Sequence, residues 1–92
     1  MTSAHLIISG FVQGVGFRQF IKSHAKKLEL NGWVKNTSDG SVEALFQGEK
    51  KLIKNMILLC GKGPFLAEVE NIEVKWEETS EQFQTFTILH TP

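Results

Sequence analysis

Cysteine, arginine and aspartate each occur once in this 92-residue chain, as Cys60, Arg18 and Asp39. A lone cysteine excludes an internal disulfide framework and suits a reducing compartment. A lone aspartate limits the carboxylate pairs available for acid–base work. No sign of charge is in excess, since ten basic and ten acidic residues give a formal net charge of zero. The halves differ only mildly. Residues 1–46 set Arg18 and four lysines against Glu29, Asp39 and Glu43, and residues 47–92 set five lysines against seven glutamates. A nucleic-acid protein is expected to show a strong basic face, so no nucleic-acid partner is expected. No apolar stretch approaches the ~18 residues needed to span a bilayer. The first residues, Met1 to His5, carry no basic segment ahead of a long apolar run, so no leader peptide and no membrane partner are expected. These absences point to a cytoplasmic protein, read here as a monomer.

What is present suits one domain over residues 1–92: 41% hydrophobic and 22% charged residues describe a globular chain. Its size should bury somewhat more than the roughly 60% of surface buried by a 60-residue domain, enough for a core without metal or disulfide staples. Residues 4–12 (AHLIISGFV) are apolar and β-branched and read as a buried strand. Phe17, Phe20, Ile21, His24, Ala25 and Leu28 recur at spacings of three and four, the stripe of a helix, which is expected to stop at Asn31-Gly32. Residues 32–36 and 41–47 read as strands joined by Thr37-Ser38-Asp39-Gly40, with Val42, Ala44 and Phe46 on the drier face. Residues 49–60 give a second helix with Leu52, Ile53, Met56, Ile57 and Cys60 as its stripe, ended by Gly61-Lys62-Gly63-Pro64. Residues 67–77 alternate as a strand except at Val69, which predicts a bulge near Glu70-Asn71. Residues 85–90 supply a short last strand.

This order predicts an α+β, ferredoxin-like β-α-β-β-α-β sandwich. Its antiparallel sheet carries two helices on one face and a short extra C-terminal strand. The pattern leaves open whether that strand lies beside the second or the fourth. A right-handed crossover makes the first two strands run the same way. Arg18, just past the first, and Asn36, ending the second, should therefore be neighbours.

The stretch "SGFVQGVGFR", residues 9–18, places three glycines within seven residues just before the only arginine. Glycines at 10, 14 and 16 permit positive φ, so that successive amides can form a concave anion nest. The run opens a helix, whose N-terminus also favours an anion. A cation in that first turn is unfavourable by itself and becomes favourable once something negative binds; the guanidinium offers a phosphate a bidentate fork. The plain alternative is a tight turn, and the spacing matches neither a P-loop nor a dinucleotide fingerprint. Asn36 is the second anomaly, because asparagine is depleted in strands. It can open an Asx turn into residues 37–40, or its amide can hold a water with one donor and one acceptor.

"GFVQGVGFR" followed by "GWVKNTSDGSVEALFQG" resembles the acylphosphatase family, and the similarity continues more loosely through "CGKGP" to the end of the chain. The resemblance implies hydrolysis of acyl phosphates to carboxylate and phosphate. The phosphate would be bound by the backbone amides of Gln13, Gly14, Val15, Gly16, Phe17 and Arg18 and by the Arg18 side chain. Asn36 would orient the attacking water. No metal or other cofactor is implied, and the substrate's own phosphate would take the water's proton. An acyl phosphate is already activated, so positioning and charge stabilisation carry the chemistry. One preorganised donor at developing charge is commonly worth ~10²–10³ in rate. Gln19 and Phe20, where many relatives carry other residues, are expected to shape the pocket rim. The cysteine-rich extensions of the carbamoyl-transfer hydrogenase-maturation proteins, which share this domain, are missing from the sequence, and a stand-alone enzyme is the expectation.

Other polar and aromatic residues have plainer readings. His24 is expected at the edge of the core, Cys60 as a packed small hydrophobe, and Trp33 and Trp76 in or near the core. His5, His24 and His90 show no ligand spacing. Glu68, Glu70, Glu73, Glu77, Glu78 and Glu81 mark a solvated face. The rival to an enzyme is a non-catalytic module of the same fold that binds an anion or a partner. An RNA-binding module would need the basic face and stacking aromatics that the chain does not offer.

Overall fold

The computed structural model describes residues 1–90; the last two residues of the expected 1–92 domain lie outside the described residues. The elements are β1 (Thr2–Phe11), α1 (Phe17–Lys27), β2 (Asn31–Asn36), β3 (Val42–Gln47), α2 (Lys50–Lys62), β4 (Glu68–Glu78) and β5 (Phe86–Ile88). They form one five-stranded sheet in the order β4-β1-β3-β2-β5. The first four strands pair antiparallel, and β5 adds to β2 in parallel, so the sheet is mixed at that edge. β1 and β2 both run antiparallel to β3 and therefore share a direction.

Alternation decides which face is covered. Ala4, Leu6 and Ile8 of β1 pair with Phe46, Ala44 and Val42 of β3. This inward row meets Phe17, Ile21 and Ala25 of α1 and Ile53, Met56 and Cys60 of α2 in one buried cluster. Each fully buried large aliphatic or aromatic side chain contributes about 1.5–3 kcal/mol relative to exposure. β5 joins the same core through Phe86, stacked on Phe46 at 5.5 Å between ring centroids. The other face of the sheet carries half-buried polar contacts. There His5 Nε2 lies 2.6 Å from a Glu43 carboxylate oxygen, and Lys35 sits over the Trp33 ring. Trp76 lies half exposed at the β4 edge under Lys50, and His24 is half buried against the Phe20 ring. The glutamates of β4 and Glu81 are exposed.

The expected irregularity in β4 is present. Ser9 pairs with Asn71 but Gly10 with Val69, so Glu70 is the extra residue. Gly10 permits this close crossing, because a Cβ there would lie 2.2 Å from the Glu68 carbonyl oxygen.

The end of α1 differs from the expectation. The helix stops at Lys27, and the left-handed residue just past its end is Glu29 (φ 58), ahead of the expected Asn31-Gly32. Glu29 N–H donates to the Lys26 carbonyl, and Leu30 N–H to the Ala25 carbonyl at 2.9 Å. This is a Schellman exit with buried Leu30 as its apolar contact. Asn31 and Gly32 already belong to β2.

Candidate active site

The segment between β1 and α1 has a left-handed backbone at Gly14 (φ 76) and at Gly16 (φ 79, ψ 18), the residue that caps α1. A Cβ at either glycine would meet nothing within 4 Å. The backbone angle, not crowding, is therefore what calls for glycine there, and the space outside the loop is open. Gly16 offers no side-chain cap, and the first turn of α1 holds no acidic residue. The first amide to find a protein acceptor is that of Phe20, bonded to the Gly16 carbonyl at 3.0 Å. Among the described residues, no protein carbonyl takes up the amides of Gln13 to Gln19. That leaves a run of N–H groups at the positive end of a helix.

Five of these residues, Gly14 and Gly16 to Gln19, border a cavity of about 240 Å³, below the roughly 300–1,000 Å³ of drug-sized sites and suited to a small substrate. Val12, Gly14, Gly16 and Phe17 form the loop side. Arg18 and Gln19 stand over it from the first turn of α1, and Asn36 closes it from the end of β2. The expected meeting of Arg18 and Asn36 is thus found. Its cause is the shared direction of β1 and β2, whose C-terminal ends lie at one edge of the sheet. Arg18 takes part in no ion pair among the described residues. No described lining residue is acidic, so the field in the cavity is positive. The Asn36 side-chain oxygen is buried in the wall.

Of the two rim residues, Gln19 lines the cavity, whereas Phe20 turns away and packs edge-on to the Phe17 ring. Ile88 and His90 complete the wall. They come from β5 and the residues just after it, whose place beside β2 the sequence pattern left open. A further feature escaped the sequence. The Gln13 side chain donates from Nε2 to the Thr37 and Ser41 carbonyls, each at 2.8 Å, reaching from the loop to the β2–β3 turn. Within that turn Thr37 Oγ1 donates to Asp39, and the Ser41 amide donates to the same carboxylate at 3.2 Å. These bonds, the Thr37 hydroxyl first, hold the Asp39 carboxyl below its usual range.

Among the described residues, no group of three histidine, cysteine or acidic side chains could hold a metal ion. No described helix is long and apolar enough to cross a membrane. A larger hollow of about 420 Å³ lies where Trp33 meets Phe83, Gln84 and Leu89, away from Arg18 and Asn36.

The acylphosphatase family model matches residues 4–88. An acylphosphatase from Chloroflexus aurantiacus is 44% identical over 89 residues, covering 97% of this chain and 97% of that one. One from Pyrobaculum arsenaticum is 47% identical over 92 residues, covering 99% and 97%. The crystal structure of acylphosphatase from Bacillus subtilis superposes with a TM-score of 0.94 at 36% identity, covering 97% of this chain and 99% of that one. A motif loop, a strand-end asparagine, the sheet order and full-length relatives agree, and the chain belongs to the acylphosphatase family.

Proposed function

We propose that this protein hydrolyses the carboxyl–phosphate bond of a small acyl phosphate, with Arg18 and the loop amides holding the phosphate and Asn36 placing the water. Family membership carries the reaction class. The observation that supports the residue roles is the cavity in which Arg18, the loop residues Gly14, Gly16 and Phe17 with their unspent amides, and Asn36 meet.

The phosphoryl oxygens sit in the loop, where the amides and the helix N-terminus meet their charge. Arg18 forks onto two of them, and its charge is then balanced. The Asn36 carboxamide accepts one hydrogen bond from a water and donates another to it, aiming the water oxygen at phosphorus. The new P–O bond forms as the bond to the acyl oxygen breaks. The electron pair leaves with the carboxylate, and the water's proton ends on the phosphate. Charge spreads over the equatorial oxygens in the transition state, where the fixed donors bind it most tightly. The reading extends to a cytoplasmic monomer without a nucleic-acid partner, supported by the balanced charge and the single cysteine.

The test is phosphate release from a small acyl phosphate with EDTA present, beside a phosphomonoester control. Turnover of the acyl phosphate alone is expected. Arg18→Gln should abolish phosphate binding and turnover together. Asn36→Ala should lower kcat by about 10²-fold, the loss that misplacing a reacting group brings, and leave phosphate affinity largely intact. Phosphate binding without turnover would convert the reading into a non-catalytic anion-binding module. Full activity in Asn36→Ala would remove the water-placing role.

A further inference from the structure

The two halves of the cavity are not on adjacent strands. The loop follows β1 and Asn36 ends β2, while β3 lies between those strands. Something must fix the distance between them, because water and phosphorus have to meet at about 3–3.5 Å. One side chain spans the gap. Gln13 leaves the loop and gives both protons of its amide to the β2–β3 turn, one to the Thr37 carbonyl and one to the Ser41 carbonyl. Thr37 directly follows Asn36. The turn itself is rigid, since Thr37 N–H donates to the Ser41 carbonyl at 2.9 Å and the Thr37 hydroxyl and Asp39 carboxylate brace it from the side. Two carbonyl acceptors also settle the orientation of the amide, because only the NH₂ end can serve them.

Resting on the residue roles proposed above, we infer that the Gln13 side chain is a positioning residue. It sets the separation between the loop amides and the Asn36 carboxamide, so that water and phosphate are held in line. Its backbone belongs to the loop and its side chain bonds the turn that directly follows Asn36, so one residue ties the two halves of the cavity together. Methionine at this position keeps the length and volume but has no donor. The two carbonyls would keep only their bonds within the turn, and the turn would be free to shift against the loop.

The experiment is a double-mutant cycle between Gln13→Met and Asn36→Ala, reading kcat, KM and inhibition by inorganic phosphate, with thermal melts to confirm folding. Gln13→Met alone should lower kcat about tenfold, since small misplacements of a reacting group cost up to ~10²-fold, and should move the phosphate inhibition constant less than about twofold. On the Asn36→Ala background the same substitution should change kcat less than about twofold, because there is no longer a placed carboxamide to lose. A tenfold loss that recurs undiminished on that background would overturn the inference and mark Gln13 as a general brace. Unchanged kcat in the single variant would overturn it as well. Should Gln13→Met not fold, Gln13→Ala removes any packing conflict and carries the same expectations. Full activity in Asn36→Ala defeats the water-placing reading itself, whereas an impaired Asn36→Ala beside a fully active Gln13→Met defeats only the role of Gln13.

Discussion

Cys60 lies on the inward stripe of α2 without solvent exposure, and burial pushes its thiol up to about 12. A thiol needs to ionise before it attacks, so this one is inert while the chain is folded. A thiol reagent at pH 8 should label none of the native protein and one site per chain in denaturant. Asp39 shows the opposite shift. The bonds from Thr37 and Ser41 favour its charged form, so its folded value lies below the ordinary 3.8. Its contribution to stability is therefore present above about pH 4 and lost as pH falls through the depressed value. Melting temperatures taken from pH 5 down to pH 2 should fall more steeply in the wild type than in Asp39→Asn. Glu78, also lowered chiefly by its bond from Thr2, titrates alike in both and cancels in the comparison. At this scale the sequence was most readable where a residue type is out of place: an arginine in a helix's first turn, an asparagine ending a strand. Gln13 carried no such mark. Its partners are backbone carbonyls, and those are present whatever residues stand at 37 and 41. His90 was equally silent, because its place in the cavity wall depends on a strand whose neighbour the pattern did not specify.

The loop and the helix ends are where element geometry is decided. Gly14 and Gly16 were legible as backbone devices, because nothing else enters the left-handed region cheaply. The exit of α1 was not, because a glutamate takes that conformation in place of a glycine. The chain continues straight into β2 from Leu30, and the glycine that looked like a helix stop is a strand residue opposite Phe46. Holding a non-glycine residue left-handed costs roughly 1–2 kcal/mol, and glycine's extra freedom when unfolded returns roughly 0.5–1 kcal/mol of that. Glu29→Gly should accordingly stabilise the protein by about 0.5–1 kcal/mol in urea melts, with kcat unchanged. A destabilised variant would show that the glutamate side chain contributes something the backbone argument omits. The hydrophobic periods of two and of three to four fixed the remaining elements to within a few residues, since burial on one face is what each of them is for.

The placement of β5 is a property of the whole chain. Gln47, fully buried, donates to the Glu81 carbonyl at 2.6 Å and accepts from the Phe83 amide at 2.9 Å, while Asn31 donates to the Phe83 carbonyl. These bonds turn the segment after β4 back across the sheet, where Gly32 and Leu89 donate to the Thr85 and Val34 carbonyls. Alternation gave Gln47 to the wetter face and said nothing of a partner more than 30 residues away, so the β2 edge could not be chosen beforehand. Gln47→Leu would remove two partly buried hydrogen bonds, a loss of about 0.5–1.5 kcal/mol for each. Hydrogen exchange should quicken at Gly32 and Leu89, whose amides bond across the β2–β5 pairing. At the opposite margin, β4 ends the sheet with 11 residues, the longest strand in the fold, and a row of backbone groups turned outward. It carries Glu68, Glu70, Glu73, Glu77 and Glu78 against Lys75 alone, a local net of −4 in a chain whose total is zero. Two copies that slid together along this margin would set carboxylates against carboxylates within the ~8 Å reach of unscreened charge at physiological salt. The bulge at Glu70 would also spoil their register. A neutral protein thus keeps its self-repulsion on the longest border along which its own sheet could be extended by a neighbour.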